Sequence, residues 1–487
     1  MGVLERILDV EKKALFDELP TGTLGLADVP SAEEERAAGK IIRKDIPRKS
    51  LEAWEPAKDR PNPIELLKSQ EANRVSELIP VRYERMSASA FTFYRGGALV
   101  MASDLSHIPV TGLNVQACGD AHIANFGQFA APDRRLVFDV NDFDETLPGP
   151  WEWDLARLCA SIEICGRDRE FSSSDCNAAV MGAAEAYRRA MNNFAQQSNL
   201  SVWYARMDVQ DALDSISDNV PKRVQRNATK TLERAKKKDS ARAVTKLTHV
   251  VDGKLRIISD PPLIVPIDEL LPLDASILRK VLATVVLLYK KSLPQDMRHL
   301  LDTYHYIDCA RKVVGVGSVG LRSWIIVMSG CDENDPLVLQ LKEAQSSVME
   351  SFTRKSRSAS HGQRVVEGQR LMQAASDSML GWVTAPGTDG KLHDFYVRQL
   401  WDWKSSPDLN TINEIGLERL SRLCGWTLAR AHARSGNRFA ISGYLGDSNK
   451  FDKAMASFAN TYADLNEQDY ARFMDAYESG ALTKEAK

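Results

Sequence analysis

Cys118-Gly119-Asp120-Ala121-His122-Ile123-Ala124-Asn125, followed after an apolar run by Asp142-Phe143-Asp144, is the stretch on which the reading of this chain turns. An Asp and an Asn five positions apart, with a second Asp behind a strand-like segment, supply the oxygen atoms that phosphoryl transfer needs. The first Asp orients or deprotonates an acceptor hydroxyl, the Asn holds a magnesium ion, and the later Asp bridges that ion to phosphates. The runs at 115–117 and 136–140 are short, apolar and bounded by turn chemistry, so they read as buried strands. Asp120 and Asn125 then fall on the loop after the first strand, and Asp142 just after the second. Loops in such places carry chemistry more than packing. Asp139, Asp142, Asp144 and Glu145 crowd four carboxylates into seven positions, a repulsion that bound cations relieve. His122 reads equally as a support for the loop or as a phosphate contact. Asp154 reads as a helix cap or anchor.

The chain carries a second constellation far downstream. Gly315-x-Gly317-Ser318-x-Gly320 is a glycine-rich turn between β-type runs at 313–316 and 324–328. Glycines let the backbone approach phosphates and aim N–H groups at anionic oxygens, although glycines between strands also make plain hairpins. No Gly-Lys-Ser/Thr follows, so this is no Walker A loop. About twenty residues later, Lys342 ends the apolar strand 337–341, where a lysine can pair with α- and β-phosphates. Such a lysine needs a carboxylate on the next helix. Glu367, in the helical run 364–373, is the preferred candidate and Glu350 the second. Arg95, in Phe93-Tyr94-Arg95-Gly96-Gly97, reads either as a phosphate ligand or as a strand end with a bulge.

Composition narrows the classes. With 487 residues, 44% of them apolar, the chain can build two or three cores. A net charge of −3 points to no polyanion or membrane partner. The seven scattered cysteines lack any C-x-x-C, which fits a reduced, cytoplasmic protein. The longest apolar run, 281–289, is too short to span a bilayer. The basic run 223–246 lacks interleaved aromatics and reads as a solvated helical face rather than a nucleic-acid surface. Residues 1–60 are charged and punctuated by Pro30, Pro47 and Pro56, an irregular arm. Helical periodicity dominates from 61 to about 300, with a hairpin at Asp252-Gly253, and returns after 411.

These residues together resemble the kinase-like superfamily, especially its aminoglycoside phosphotransferase branch. The matching motifs are Gly119-Asp120-Ala121-His122-Ile123-Ala124-Asn125, Asp142-Phe143-Asp144 and Asp154-Leu155-Ala156. Nearly the whole chain is also identified as a member of a bacterial family, domain of unknown function 2252. The supporting motifs are Phe93-Tyr94-Arg95-Gly96, 315–320, Leu341-Lys342-Glu343-Ala344, Gly368-Gln369-Arg370 and His432-Ala433-Arg434-Ser435-Gly436. That family carries no substrate with it. In kinases the glycine loop and lysine precede the catalytic Asp, whereas here they follow it by about two hundred residues. The segment 395–400 with Trp401-Asp402-Trp403 resembles the hinge that clasps adenine. The helix at 417–432 resembles the one leading into the catalytic loop.

The resemblance implies a two-lobed, kinase-like α+β fold in circularly permuted order. Such permutation is tolerable where termini lie at the surface. The expected parts are the arm 1–60, a first part of the large lobe at 61–304, a small nucleotide lobe at 305–400, and hinge and C-terminal helices at 401–487. It implies ATP and Mg2+ as cofactors, with Asp120 and His122 catalytic and Asn125, Asp142 and Asp144 at the metal. Gly315, Gly317, Ser318, Gly320, Lys342, Glu367 and Arg95 would hold the nucleotide. The expected activity is phosphotransfer to an unidentified small-molecule or protein hydroxyl. AMP transfer and nucleotide binding without catalysis are the alternatives, and nucleic-acid binding through 223–246 is a weaker one.

Overall fold

The computed structural model describes residues 30–210, 240–252, 254–271, 275–313, 315–332, 334–400 and 402–482, with mixed α and β structure. The first half contains helices α1 (Ala32–Ile42) and α2 (Ala90–Gly96), then strands β1 (Asn114–Ala117), β2 (Phe126–Ala130), β3 (Leu136–Val140) and β4 (Leu147–Pro150). Helices α3 (Trp151–Asp168) and α4 (Ser173–Phe194) and the short strand β5 (Met207–Asp208) follow. Next come α5 (Ser240–Leu247), β6 (Thr248–Val251), β7 (Lys254–Ile257), β8 (Ile264–Pro266) and α6 (Ala275–Lys291). The sheet segment proper holds β9 (His305–Lys312), β10 (Ser323–Ser329), β11 (Pro336–Ala344), helix α7 (His361–Met372), β12 (Gly381–Pro386) and β13 (Leu392–Gln399). The chain closes with α8 (Glu414–Ser435), α9 (Arg438–Leu445) and α10 (Lys450–Glu478).

Six strands make one antiparallel sheet in the order β12-β13-β11-β10-β9-β8. Its register fixes which side chains share a face: Lys342 sits opposite both Ser323 and Tyr396, and Gln340 opposite Ile325 and Arg398. Helix α7 connects β11 to β12 and packs on the sheet edge. One apolar core joins α3, α4, α8 and α10, whose inward stripes include Leu155, Leu158, Tyr187, Leu428 and Phe458. The cleft lies between that helical body and the sheet. Two small ladders, β1 with β4 and β2 with β3, hold the loops at its floor.

Several expectations change. Residues 32–42 are helical rather than irregular, because Ser31 and Glu34 form a capping box; residues 1–29 lie outside the described residues. Arg95 is on a helix, not at a strand end: Ser89 and Thr92 cap α2 reciprocally. The first β-type run is also displaced. The strand ends at Lys312, before Gly315 and Gly320, which adopt φ of 71° and 92°. Most of the basic run, 223–239, lies outside the described residues, as do Gly253 of the expected turn and Trp401. No helix is long and apolar enough to cross a membrane among the described residues.

Candidate functional site

The catalytic-loop candidates are fixed from below by α3. Asp154, in its first turn, accepts from the backbone N–H groups of Cys118 (2.6 Å) and Gly119 (2.9 Å). His432 of α8 sits 3.1 Å from the same carboxylate, and its other ring nitrogen meets the Tyr187 hydroxyl at 2.8 Å. The helix anchor expected of Asp154 is therefore a loop anchor as well. Gly119 has φ of 80°, and a Cβ there would lie 2.3 Å from the Glu145 carbonyl oxygen, so only glycine fits.

Asp120 leaves this turn facing the cleft. Arg157, one turn beyond Asp154 on α3, donates to Asp120 Oδ1 from Nε at 2.9 Å and holds it from Nη2 at 2.7 Å. The Asn125 side chain donates to the Asp120 carbonyl at 2.6 Å, closing the loop on itself. Burial raises the Asp120 carboxyl to about 6, with Arg157 opposing the shift. His122 is buried with Nε2 3.7 Å from Asp120 Oδ2. Burial, with Arg95 and Arg157 nearby, drives its imidazole well below the ordinary range, so it is neutral at neutral pH.

The downstream lysine reaches this loop pair across the sheet. Lys342 Nζ lies 3.2 Å from Asp142 Oδ2 and 2.5 Å from Asp144 Oδ2, though 200 residues separate it from Asp142. Against the burial that disfavours its charge, these two carboxylates hold the Lys342 amine well above its usual range. Burial would raise Asp142, but Lys342, Arg398 and Lys404 hold it well below the usual carboxylate range. Asp144 moves the other way, through burial and the neighbouring Asp142. It also accepts from the Tyr396 hydroxyl at 2.8 Å and sits 3.4 Å from Ser318 Oγ in the glycine loop.

The glycine loop is braced from outside. Arg74 donates to the Gly317 carbonyl at 2.9 Å and also to that of Val319, and Arg85 to Gly315 at 2.5 Å. The loop thereby lies over a cavity lined by Arg95, Asp120, His122, Asn125, Asp142 and Asp144. An adjoining cavity continues past Asn125 and Asp142 to Lys342 and Lys404. Arg95 lines both, and its buried Nε has no hydrogen-bond partner among the described residues.

Ten of the eleven expected site residues other than Glu367 thus line or touch this cleft, Gly320 being turned instead toward the Arg74 side chain. Glu367 does not belong to it. It is exposed on α7, where it accepts from Gln363 (2.7 Å) and Ser358 (3.3 Å). Glu350 caps the Ser347 N–H instead. The face of α7 toward the site presents Arg364, which donates to the carbonyls of Thr146, Asp144 and Gln345 at 2.6, 2.7 and 2.7 Å. Lysine positioning falls to Asp142 and Asp144, because an arginine occupies the helix face where a glutamate was expected. Arg157, Arg364, Tyr396 and Lys404 are site residues that sequence reading missed. Only Arg157, three past Asp154 on a predicted helix, left a signal.

As a metal site the fit is partial. Among the described residues no group of three or more His, Cys, Asp or Glu is arranged to hold a metal ion. Magnesium, however, needs one or two carboxylates once phosphates and water complete its shell. Asp142, ionised and beside Asn125 in one cavity, meets that lesser demand.

The chain belongs to the DUF2252 family, described as an uncharacterized protein conserved in bacteria. The match spans residues 74–476, and so takes in both loops, Lys342 and the closing helices. Neither curated proteins nor solved structures match this family member.

Proposed function

We propose that this chain is an ATP- and Mg2+-dependent phosphotransferase built on a circularly permuted kinase-like fold, acting on a hydroxyl acceptor. The observation that carries the reading is the meeting of Lys342 with Asp142 at 3.2 Å beside Asp120 and beneath the glycine loop. Chain order within the sheet supports it: glycine loop between β9 and β10, lysine on β11, helix α7, then two further strands leading into a connecting segment. That succession is what a kinase nucleotide lobe uses.

The roles follow from the charges. Asn125 and Asp142 would hold the magnesium ion, which would neutralise charge on the transferring phosphates. Lys342 and the N–H groups of the loop at 315–320 would hold phosphate oxygens. Asp120 takes the acceptor hydroxyl proton as that oxygen bonds to the γ-phosphorus and the bond to the β-phosphate bridging oxygen breaks, releasing ADP. Arg157 keeps Asp120 oriented during this transfer.

Incubation of the full chain with Mg2+ and ATP labelled at the α or γ position tests the reading. Transferred γ label supports phosphotransfer, while α label on product means AMP transfer. Asp142→Asn should lower Mg-ATP binding and transfer by about a hundredfold or more; unchanged binding and transfer would sink the assignment.

A further inference from the structure

We infer that Arg95 is a catalytic residue, whose guanidinium grips the phosphoryl group as it passes from donor to acceptor. The inference deepens the phosphotransferase reading and rests on it. Two cavities meet in the cleft, one lined by Asp120 and the other by Lys342. On the proposed roles, the first receives the acceptor hydroxyl and the second the donor phosphates. Five described residues line both cavities: Arg95, Asn125, Asp142, Gly315 and Ser318. They form the neck through which a transferred group must pass. Asn125 and Asp142 bring the metal ligands to it, and Gly315 and Ser318 the glycine loop. Arg95 is the one cation among the described residues of this neck.

The fold fixes Arg95 there through its neighbour. Tyr94, the residue before it on α2, donates from its hydroxyl to the Arg157 carbonyl at 2.8 Å and accepts at its own carbonyl from Arg157 Nη2 at 3.0 Å. The Arg157 guanidinium also lies 4.0 Å from the centre of the Tyr94 ring. Arg157 is the side chain that holds Asp120, so the backbone carrying Arg95 and the proposed base share one support. The glycine loop closes on the same helix: a Cβ on Gly317 would lie 3.3 Å from the Arg95 carbonyl oxygen. The Arg95 guanidinium itself is uncommitted, with no hydrogen bond or ion pair among the described residues. Burial lowers it from the ordinary arginine range while Asp120 and Asp142 oppose the shift, and an arginine so placed keeps its charge at neutral pH. A buried cation without a partner is costly until an anion completes it.

During transfer the acceptor oxygen bonds to the γ-phosphorus, the bond to the β-phosphate bridging oxygen breaks, and charge spreads over three equatorial oxygens. The planar fork of Arg95 donates to two of these and gives up no proton. Asp120 takes the acceptor proton and ADP leaves. That charge distribution arises only in transfer, so Arg95 acts on rate more than on nucleotide affinity.

Arg95→Met in the full chain tests this, with water as the acceptor for γ-labelled ATP. Release of label should fall by about a thousandfold or more, whereas Mg-ADP should bind within about threefold of wild type. Aluminium fluoride, which imitates the phosphoryl group in transfer, should tighten Mg-ADP on the wild type by about tenfold or more and on Arg95→Met not at all. Arg95→Lys, a charge without the fork, should fall between the two in rate. The methionine variant removes an unpaired buried cation and should melt no lower than wild type. Should it nevertheless misfold, the lysine variant carries the same rate and fluoride comparison. Unchanged release of label, or Mg-ADP binding weakened as much as release, would overturn the inference and leave phosphotransfer intact. A wild type that neither moves γ label nor tightens on Mg-ADP with fluoride would instead overturn the phosphotransferase reading, and this inference with it.

Discussion

At Glu152 the chain buries a carboxylate that has no cation beside it among the described residues. Its Oε1 accepts from the Thr111 backbone at 2.8 Å and from the Thr111 hydroxyl at 2.5 Å, while Oε2 has no hydrogen-bond partner among the described residues. Burial raises this group to about 7, with the Thr111 hydrogen bonds opposing. In the unfolded chain it ionises near its ordinary value, so between these pH values the folded chain binds more protons. Stability attributable to Glu152 must then fall as pH rises from about 4.5 to about 7, by at most about 3 kcal/mol. Glu152→Gln should remove that slope, and urea melts of both proteins at pH 5 and 7.5 measure it; equal slopes refute the account. A different failure awaits Gly119→Ala, which must accommodate both the left-handed backbone and the clash with Glu145. A loss of about 2–4 kcal/mol and of Mg-ATP binding is expected in melts and titrations. At this scale the sequence was informative about Asp120, Asn125, Asp142 and Lys342, since local spacing and strand context carry their chemistry. It was silent on Arg398 and Lys404, whose relevance depends on which strand pairs with which.

Helix α7 illustrates why element faces resist prediction. A helix was legible there as the run 364–373, and the structure starts it earlier, at His361 behind the Ser360 cap, but the choice of Glu367 assumed the wrong side. Glu367 and Arg364 are three apart and yet the helix turns only the arginine inward, because Gly368 must lie against Thr146 and Gln116. Arg364 then ties three carbonyls from the β3–β4 loop and the end of β11. Arg364→Met should cost about 3 kcal/mol in chemical denaturation, since it strands buried acceptors of charged donors. It should also weaken Mg-ATP binding, through the loosened Asp144. Arg364→Lys should recover part of the binding, and no loss of binding in the methionine variant would separate α7 from the site. The strands were read more accurately than the helix faces because β3, β10 and β11 are buried on both sides and therefore appear as continuous apolar runs.

The whole molecule is closed by contacts between segments remote in sequence. Arg60 forks between Asp104, at 2.6 and 2.9 Å, and Asp469, at 2.6 and 3.0 Å, so the segments bearing Arg60 and Asp104 are clamped to α10. All three groups are buried or nearly so. Arg60→Ala leaves Asp104 with the Tyr462 hydroxyl at 2.9 Å and Asp469 with the exposed Arg472 at 3.5 Å, and should destabilise the fold by about 3 kcal/mol, seen as a lowered melting temperature at unchanged cleft chemistry. Melting at the wild-type temperature would show the clamp to be dispensable. Such pairings have no local signature, which is why residues 1–60 read as an arm although α1 packs closely on α9.

The 200 residues between Asp142 and Lys342 also impose a timetable. During synthesis the loop bearing Asp120 emerges long before its lysine, and α8, whose His432 steadies that loop through Asp154, comes later still. With translation proceeding at about 5–20 residues per second, the early half waits on the order of ten seconds or more for its partners. Buried carboxylates and apolar helix stripes stand exposed over that interval, so the nascent chain rather than the finished protein is the state most in need of a chaperone.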